Sequence, residues 1–228
     1  MTEPEWLSCS DPELMVSDPV LFPFLGLVSN STSDRTGEAR AKRKRILCSV
    51  AWLNLTPDLL VREYDRWFMD NIWKMVDGLI TKDEFRYKYD CLIAKEVDKD
   101  RWFRSPVEQM VTEAANFREG LKQNISCCFL EPEDCRETLE GKQIFADILR
   151  EIFGNPFHPV SLDPAWLTGT AIALATGIYD DHAFDRLPIL ADALQEAGCN
   201  SDDLLNHLRG PGPHVRGCWA LDLVLGKE

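Results

Sequence analysis

The 228 residues suffice for one large domain or two small ones, and a hydrophobic share of 45% supports a buried core rather than general disorder. A net charge of −13 repels phosphate backbones and anionic lipid, which argues against nucleic-acid or membrane binding by the surface as a whole. The opening Met1-Thr2-Glu3-Pro4-Glu5-Trp6 lacks a basic-then-apolar leader, and charges interrupt every apolar run well short of a bilayer's span. A cytosolic setting is expected, with the eight cysteines as free thiols. Cys48, Cys91, Cys127, Cys128 and Cys135 read as small hydrophobic residues.

Helix-start signals recur along the chain. Thr2 with Glu5 has capping-box spacing, and Asp11-Pro12 sets an acceptor before a proline at the first helical position. Ser17 to Gly37 reads as an irregular connection. A helix from about Glu38 turns Ile46, Leu47, Val50 and Ala51 inward. The basic run Arg40, Lys42, Arg43, Lys44, Arg45 reads as its solvated start, with a site for a phosphate or an acidic partner as the alternative.

Thr56-Pro57-Asp58 restarts the chain, and Leu60, Tyr64, Trp67, Phe68, Ile72, Met75 and Val76 then share one helical face, a core stripe. Gly78 ends that helix and Thr81 with Glu84 opens the next, with Phe85, Tyr89, Leu92, Ile93 and Val97 inward. Calcium is excluded between them. Aligning Gly78 and Glu84 with an EF-hand loop puts Trp73 and Met75 where oxygen ligands are required.

Ser105-Pro106 starts a further helix with Val107, Met110, Val111, Ala114, Phe117 and Leu121 inward. Cys135, Leu139, Phe145, Ile148, Leu149 and Ile152 mark another. Strand alternation is absent, so the expected fold is all-α: a multi-helix bundle with a compact C-terminal helical module. Its segments are 1–37 (short helices and a connection), 38–153 (the bundle) and 154–228 (the module), joined at the turn-rich Gly154–Pro159.

All four histidines lie in or after that join. Asp163-Pro164 is expected to start a helix with Trp166, Leu167, Thr170, Ala171, Leu174 and Ile178 inward. Leu187, Leu190, Ala193, Leu194 and Ala197 mark the next, stopped by Gly198. Asn200 or Ser201 caps a short helix to His207. Gly210-Pro211-Gly212-Pro213 precedes a last helix from about Val215 to Leu225.

Within that module, Ile152-Phe153-Gly154-Asn155-Pro156-Phe157, Tyr179, the run Ala183 to Leu194, Ala197-Gly198-Cys199, His207 to Trp219 and Asp222 to Glu228 form a combined signature. It resembles a large paralogous family of bacterial proteins that has no assigned activity, and the opening Met1 to Leu7, with Cys9 and Asp11-Pro12, is similar to that family's start. The resemblance implies an intracellular bacterial setting and no mechanism. In similar proteins the middle is an Ala- and Trp-rich helical stretch of variable length, from which the mixed sequence of Leu55 to Lys142 departs.

Cys199, His207, His214 and Cys218 supply two thiols and two imidazoles within twenty residues, the ligand types of a zinc site, although their spacing is not that of a zinc finger. His214 and Cys218 would share a face of the last helix. The bland alternative buries both cysteines and leaves the histidines on backbone carbonyls. A nucleophilic alternative takes Cys218 as thiolate, His214 or His207 as base and Asp222 as orienter, without an oxyanion-hole loop in support.

Asp180-Asp181-His182 lacks the partners of a two-metal hydrolase. Walker loops, dinucleotide fingerprints and serine-hydrolase elbows are absent. Arg209, Arg216 and Trp219 around the Gly-Pro-Gly-Pro turn form an anchor for a protein partner, or the arginines pair with Asp202, Asp203 or Asp222. The leading expectation is thus a non-catalytic interaction or adaptor protein without a required cofactor. Its alternative is a metal-stabilised domain or cysteine-dependent enzyme using Cys218 and His214.

Overall fold

The computed structural model of the chain describes residues 1–21, 35–54, 63–96 and 139–227, and among them the fold is all-α, with helices packed on helices and no strand. None of the described helices is long and apolar enough to cross a membrane. The chain divides into two compact units, Met1–Leu25 with Cys135–Glu228, and Gly26–Asp134. The join expected at Gly154–Pro159 therefore lies inside the first unit, and the N-terminal helices belong with the C-terminal module. The expected start at Thr56-Pro57-Asp58, the helix of Ser105 to Leu121, and Cys127, Cys128 and Cys135 lie outside the described residues.

In the Gly26–Asp134 unit, α3 (Arg35–Asn54) buries Ile46, Leu47, Val50 and Ala51 as their spacing predicts. Its basic run is a solvated face only in part, at the exposed Arg40 and Lys42. Arg43 and Arg45 are buried, and Arg43 Nε donates to Asp77 Oδ1 at 3.1 Å. The five cations occupy consecutive and near-consecutive positions, so the helical turn rotates some of them inward.

α4 (Glu63–Val76) and α5 (Lys82–Glu96) meet through their aromatic stripes. Phe68 lies 5.3 Å from Phe85 and 5.2 Å from Tyr89, both edge-on, the arrangement in which a positive ring edge meets a negative face. The positive φ of Gly78 turns the chain between them, and Thr81 Oγ1 accepts from the Glu84 amide at 3.1 Å.

The other unit opens with α1 (Glu3–Ser8) and α2 (Pro12–Ser17), each capped as the sequence predicts. Both are single-turn elements too short to persist alone, and tertiary contacts hold them. Trp6, Met15 and Val16 are buried. Arg150 of α6 (Leu139–Phe153) donates through Nε to the Trp6 carbonyl at 2.9 Å and also hydrogen-bonds the Cys9 carbonyl. These bonds satisfy carbonyls that such short helices leave without intrahelical partners.

Asp163-Pro164 starts only a 3-10 turn, Pro164–Trp166. The following helix α7 (Gly169–Asp181) is capped by Thr168, whose hydroxyl accepts from the Ala171 amide at 3.2 Å. The inward residues are largely those expected: Ala171 and Ile178 are buried and Trp166, Leu167 and Leu174 pack against the core, joined by Ala175 and Tyr179, whereas Thr170 is exposed.

After a second 3-10 turn, α8 (Leu187–Glu196) ends where Gly198, at φ +93°, lets the Cys199 amide reach back to the Leu194 carbonyl at 2.9 Å. Ser201 caps α9 (Asp202–Arg209), and the chain closes with α10 (Trp219–Leu225). Leu187, Leu190, Leu194, Leu204, Leu208, Leu221 and Val224 form a continuous core across α8, α9 and α10.

The Asp77 side chain is itself enclosed where it pairs with Arg43, so its removal leaves a buried positive charge with less compensation. Asp77→Ala is expected to lower stability by about 3 kcal/mol, read from the urea midpoint at unchanged helical circular dichroism.

Candidate functional site

The side chains with the greatest chemical capacity converge where α6, α9, the Gly210–Gly217 turn and the start of α10 meet. Glu151, His207, His214 and Cys218 each offer one ligand atom, and all four atoms lie within 4.8 Å of one another. Each arrives from a different local structure: Glu151 from α6, His207 from the last turn of α9, His214 from the turn and Cys218 from the N-cap position of α10.

His214 and Cys218 do not share a helical face as the sequence suggested. Gly217 at φ +97° delays α10 until Trp219, and the Cys218 amide instead closes a turn on the Val215 carbonyl at 3.0 Å. Their proximity is produced by the turn.

Glu151 is the centre of the group. It is buried, and its two oxygens serve two imidazoles: Oε1 lies 3.1 Å from His214 Nδ1 and Oε2 lies 3.2 Å from His207 Nε2. His207 Nε2 also stands 3.3 Å from Cys218 Sγ. Burial alone pushes the Glu151 carboxyl up, but its hydrogen bonds to His207 and His214 outweigh that and hold it below the ordinary carboxylate range. Burial opposes protonation of His214, yet the bond and charge of Glu151 raise it above the usual imidazole value.

The tautomer of His214 is set by chemistry. The Gly210 carbonyl can only accept, so Nε2 carries the hydrogen that it receives at 3.1 Å. Nδ1 then faces a carboxylate, where a bare lone pair is repelled and a proton or a metal cation is favoured.

Cys218 is fully buried, and burial followed by the nearby Glu151 charge pushes its thiol well above the ordinary value. A thiol so held is a poor nucleophile.

Trp219 packs beside the site, its ring 4.9 Å from that of His207. It also covers Gly154, where a Cβ would stand 3.1 Å from the indole, at a backbone φ of +79°. Two requirements, space and a left-handed backbone, therefore select glycine after α6.

No protein-family model, curated protein or solved structure matches the chain.

The remaining residues singled out by sequence lie apart from this group. Cys199 is buried in the α8–α10 core and is not one of its members. Arg209 is exposed at the end of α9 and donates to Asp192 Oδ1 and Gln195 Oε1, both at 2.7 Å, on α8. Arg216 is buried: it donates to the Tyr179 carbonyl at 2.8 Å and to His182 Nε2, and lies 4.2 Å over the Tyr179 ring. Trp219 is half-buried. Arg209, Arg216 and Trp219 thus do not form one outward face.

Glu151 is the residue that sequence reasoning missed. A signal was present: its neighbours Ile148 and Ile152 are fully buried, so a carboxylate stood beside the inward stripe of an amphipathic helix.

Truncating this carboxylate leaves two half-buried imidazoles without their shared partner. Glu151→Ala, measured in chelator, is expected to cost about 3 kcal/mol by urea denaturation. Gly154→Ala, which moves no charge, is expected to cost about 2 kcal/mol through backbone strain and displacement of Trp219, with a shifted tryptophan emission as its mark.

Proposed function

We propose that the Met1–Leu25 and Cys135–Glu228 unit is a metal-stabilised helical domain holding one zinc-class divalent ion through Glu151, His207, His214 and Cys218. The observation that carries this reading is the mutual spacing of the four donors. Ligand bonds of about 2.0–2.3 Å arranged tetrahedrally put donors about 3.3–3.6 Å apart. The distances of 3.2 and 3.3 Å from His207 Nε2 to Glu151 Oε2 and to Cys218 Sγ are within a few tenths of that, and the four donors together lie within 4.8 Å. Two imidazoles, a carboxylate and a thiol suit zinc by ligand type.

The surroundings of His214 support the same reading. A ligating histidine ordinarily donates its second ring N–H to a carbonyl or carboxylate, which is the arrangement of Nε2 with Gly210. A bound cation would also hold Cys218 as thiolate despite its burial, converting a poor nucleophile into a ligand.

The role that follows is non-catalytic. The ion would tie α6 to α9, the turn and α10, fixing a surface for a protein partner in an interaction or adaptor protein. A cytosolic location and kinship with the bacterial family described above belong to this proposal. The free thiols at Cys9, Cys48, Cys91, Cys199 and Cys218 are compatible with that location.

Metal analysis of the purified full-length chain tests the site. One zinc per chain is expected, removable by chelator with a fall in thermal midpoint. Cys218→Ser and His214→Ala are expected to abolish stoichiometric binding, whereas Cys199→Ser retains it. Zinc content indifferent to the first two substitutions, or no zinc uptake by the folded chain, overturns the proposal.

A further inference from the structure

The four donors are not enclosed alike. Cys218 is fully buried, while Glu151, His207 and His214 line a cleft of about 220 Å³ that opens to solvent. The side chain of His207 is 21% exposed and that of His214 is 10% exposed. Sulfur thus closes the inner side of the group, the Glu151 carboxylate is nearly as enclosed, and the two imidazoles reach furthest toward solvent. Asp147, Arg150 and Gly210–Pro213 complete the lining.

We infer that an ion held by these four residues takes one further, exchangeable donor from the cleft, a small neutral or singly charged ligand. The inference rests on the metal reading given above. Sealed four-coordinate sites are the structural pattern, whereas zinc sites open to solvent bind a water or substrate and can expand to five ligands. The cleft is smaller than the roughly 300–1,000 Å³ of pockets that hold drug-sized molecules, which restricts the ligand to a few heavy atoms.

Charge narrows the class further. Glu151 and the Cys218 thiolate together cancel a dication. The nearby Asp147 and Arg150 pair with each other at 2.8 Å. No net positive field is left to draw a multiply charged anion such as phosphate. The two anionic donors also reduce the ion's power to acidify a bound water relative to an all-imidazole site. Ligand exchange, rather than hydrolysis, is the chemistry that this donor set favours.

Cobalt(II) loaded into the full-length chain in place of zinc separates the two claims. A thiolate-to-cobalt absorption in the near ultraviolet reports occupancy of the site, and the visible ligand-field bands report coordination number. Titration with sodium azide is expected to shift and weaken the visible bands saturably while the near-ultraviolet band persists. Sodium phosphate at equal ionic strength is expected to leave both unchanged.

Visible bands unmoved by azide, with the thiolate band intact, overturn the open position and leave the metal reading standing. A response to phosphate as strong as that to azide overturns the charge argument for the ligand class. Loss of the thiolate band on adding azide means the metal is stripped rather than joined, and overturns the inference. A folded chain that never develops a thiolate band overturns the inference and the metal reading together.

Discussion

A carboxylate buried beside two imidazoles is the constraint around which the C-terminal part of the molecule is organised. An isolated buried charge costs many kcal/mol, so Glu151 is tolerable only when α6 meets both α9 and the turn that follows it. Apolar packing alone specifies that helices meet, with considerable freedom in register. The two oxygens of Glu151, each matched to one ring nitrogen, remove that freedom for His207 and His214. The Gly210 carbonyl fixes the orientation of the second ring, and the Trp219 indole lies against the first.

The remaining architecture supports this centre by conventional means. Each short helix of the unit except α10 is started by a side-chain or proline signal, and a left-handed residue ends α7, α8 or α10 at or near its last turn. Buried leucines of α8, α9 and α10 run through the apolar core that holds them together. The other unit solves the same problem with aromatic residues between α4 and α5 and an internal ion pair from α3.

Much of the fold was legible because its signals are local. Thr2 with Glu5, Asp11-Pro12, Thr81, Gly198 and Ser201 act within a few residues of themselves, and all behave as their chemistry predicts. The site was only partly legible, because its assembly is not local. His207, His214 and Cys218 were identifiable as metal-ligand types, but Glu151 lies 56 residues before the first of them, and only folding chooses it over Cys199.

The helix expected from Val215 failed because Gly217 adopts a left-handed conformation that a run of helical spacing does not reveal. The burial of Arg43 and Arg45 was hidden for a similar reason. Charge in a sequence does not say which way a helix is rotated in its bundle.

The bonds from Arg150 to the carbonyls of Trp6 and Cys9 join positions 144 and 141 residues apart, on either side of the stretch that forms the other unit. During synthesis α1 and α2 must therefore wait, undocked, until α6 has been made. Once it has, the entropy of closing the intervening chain rises only with the logarithm of its length, by about 0.6 kcal/mol per doubling. A topology of this kind places little thermodynamic restraint on what is spliced between its two halves. The middle of the molecule is thus the part in which insertions, deletions and wholesale replacement would be easiest for evolution to try, while the termini stay locked to each other.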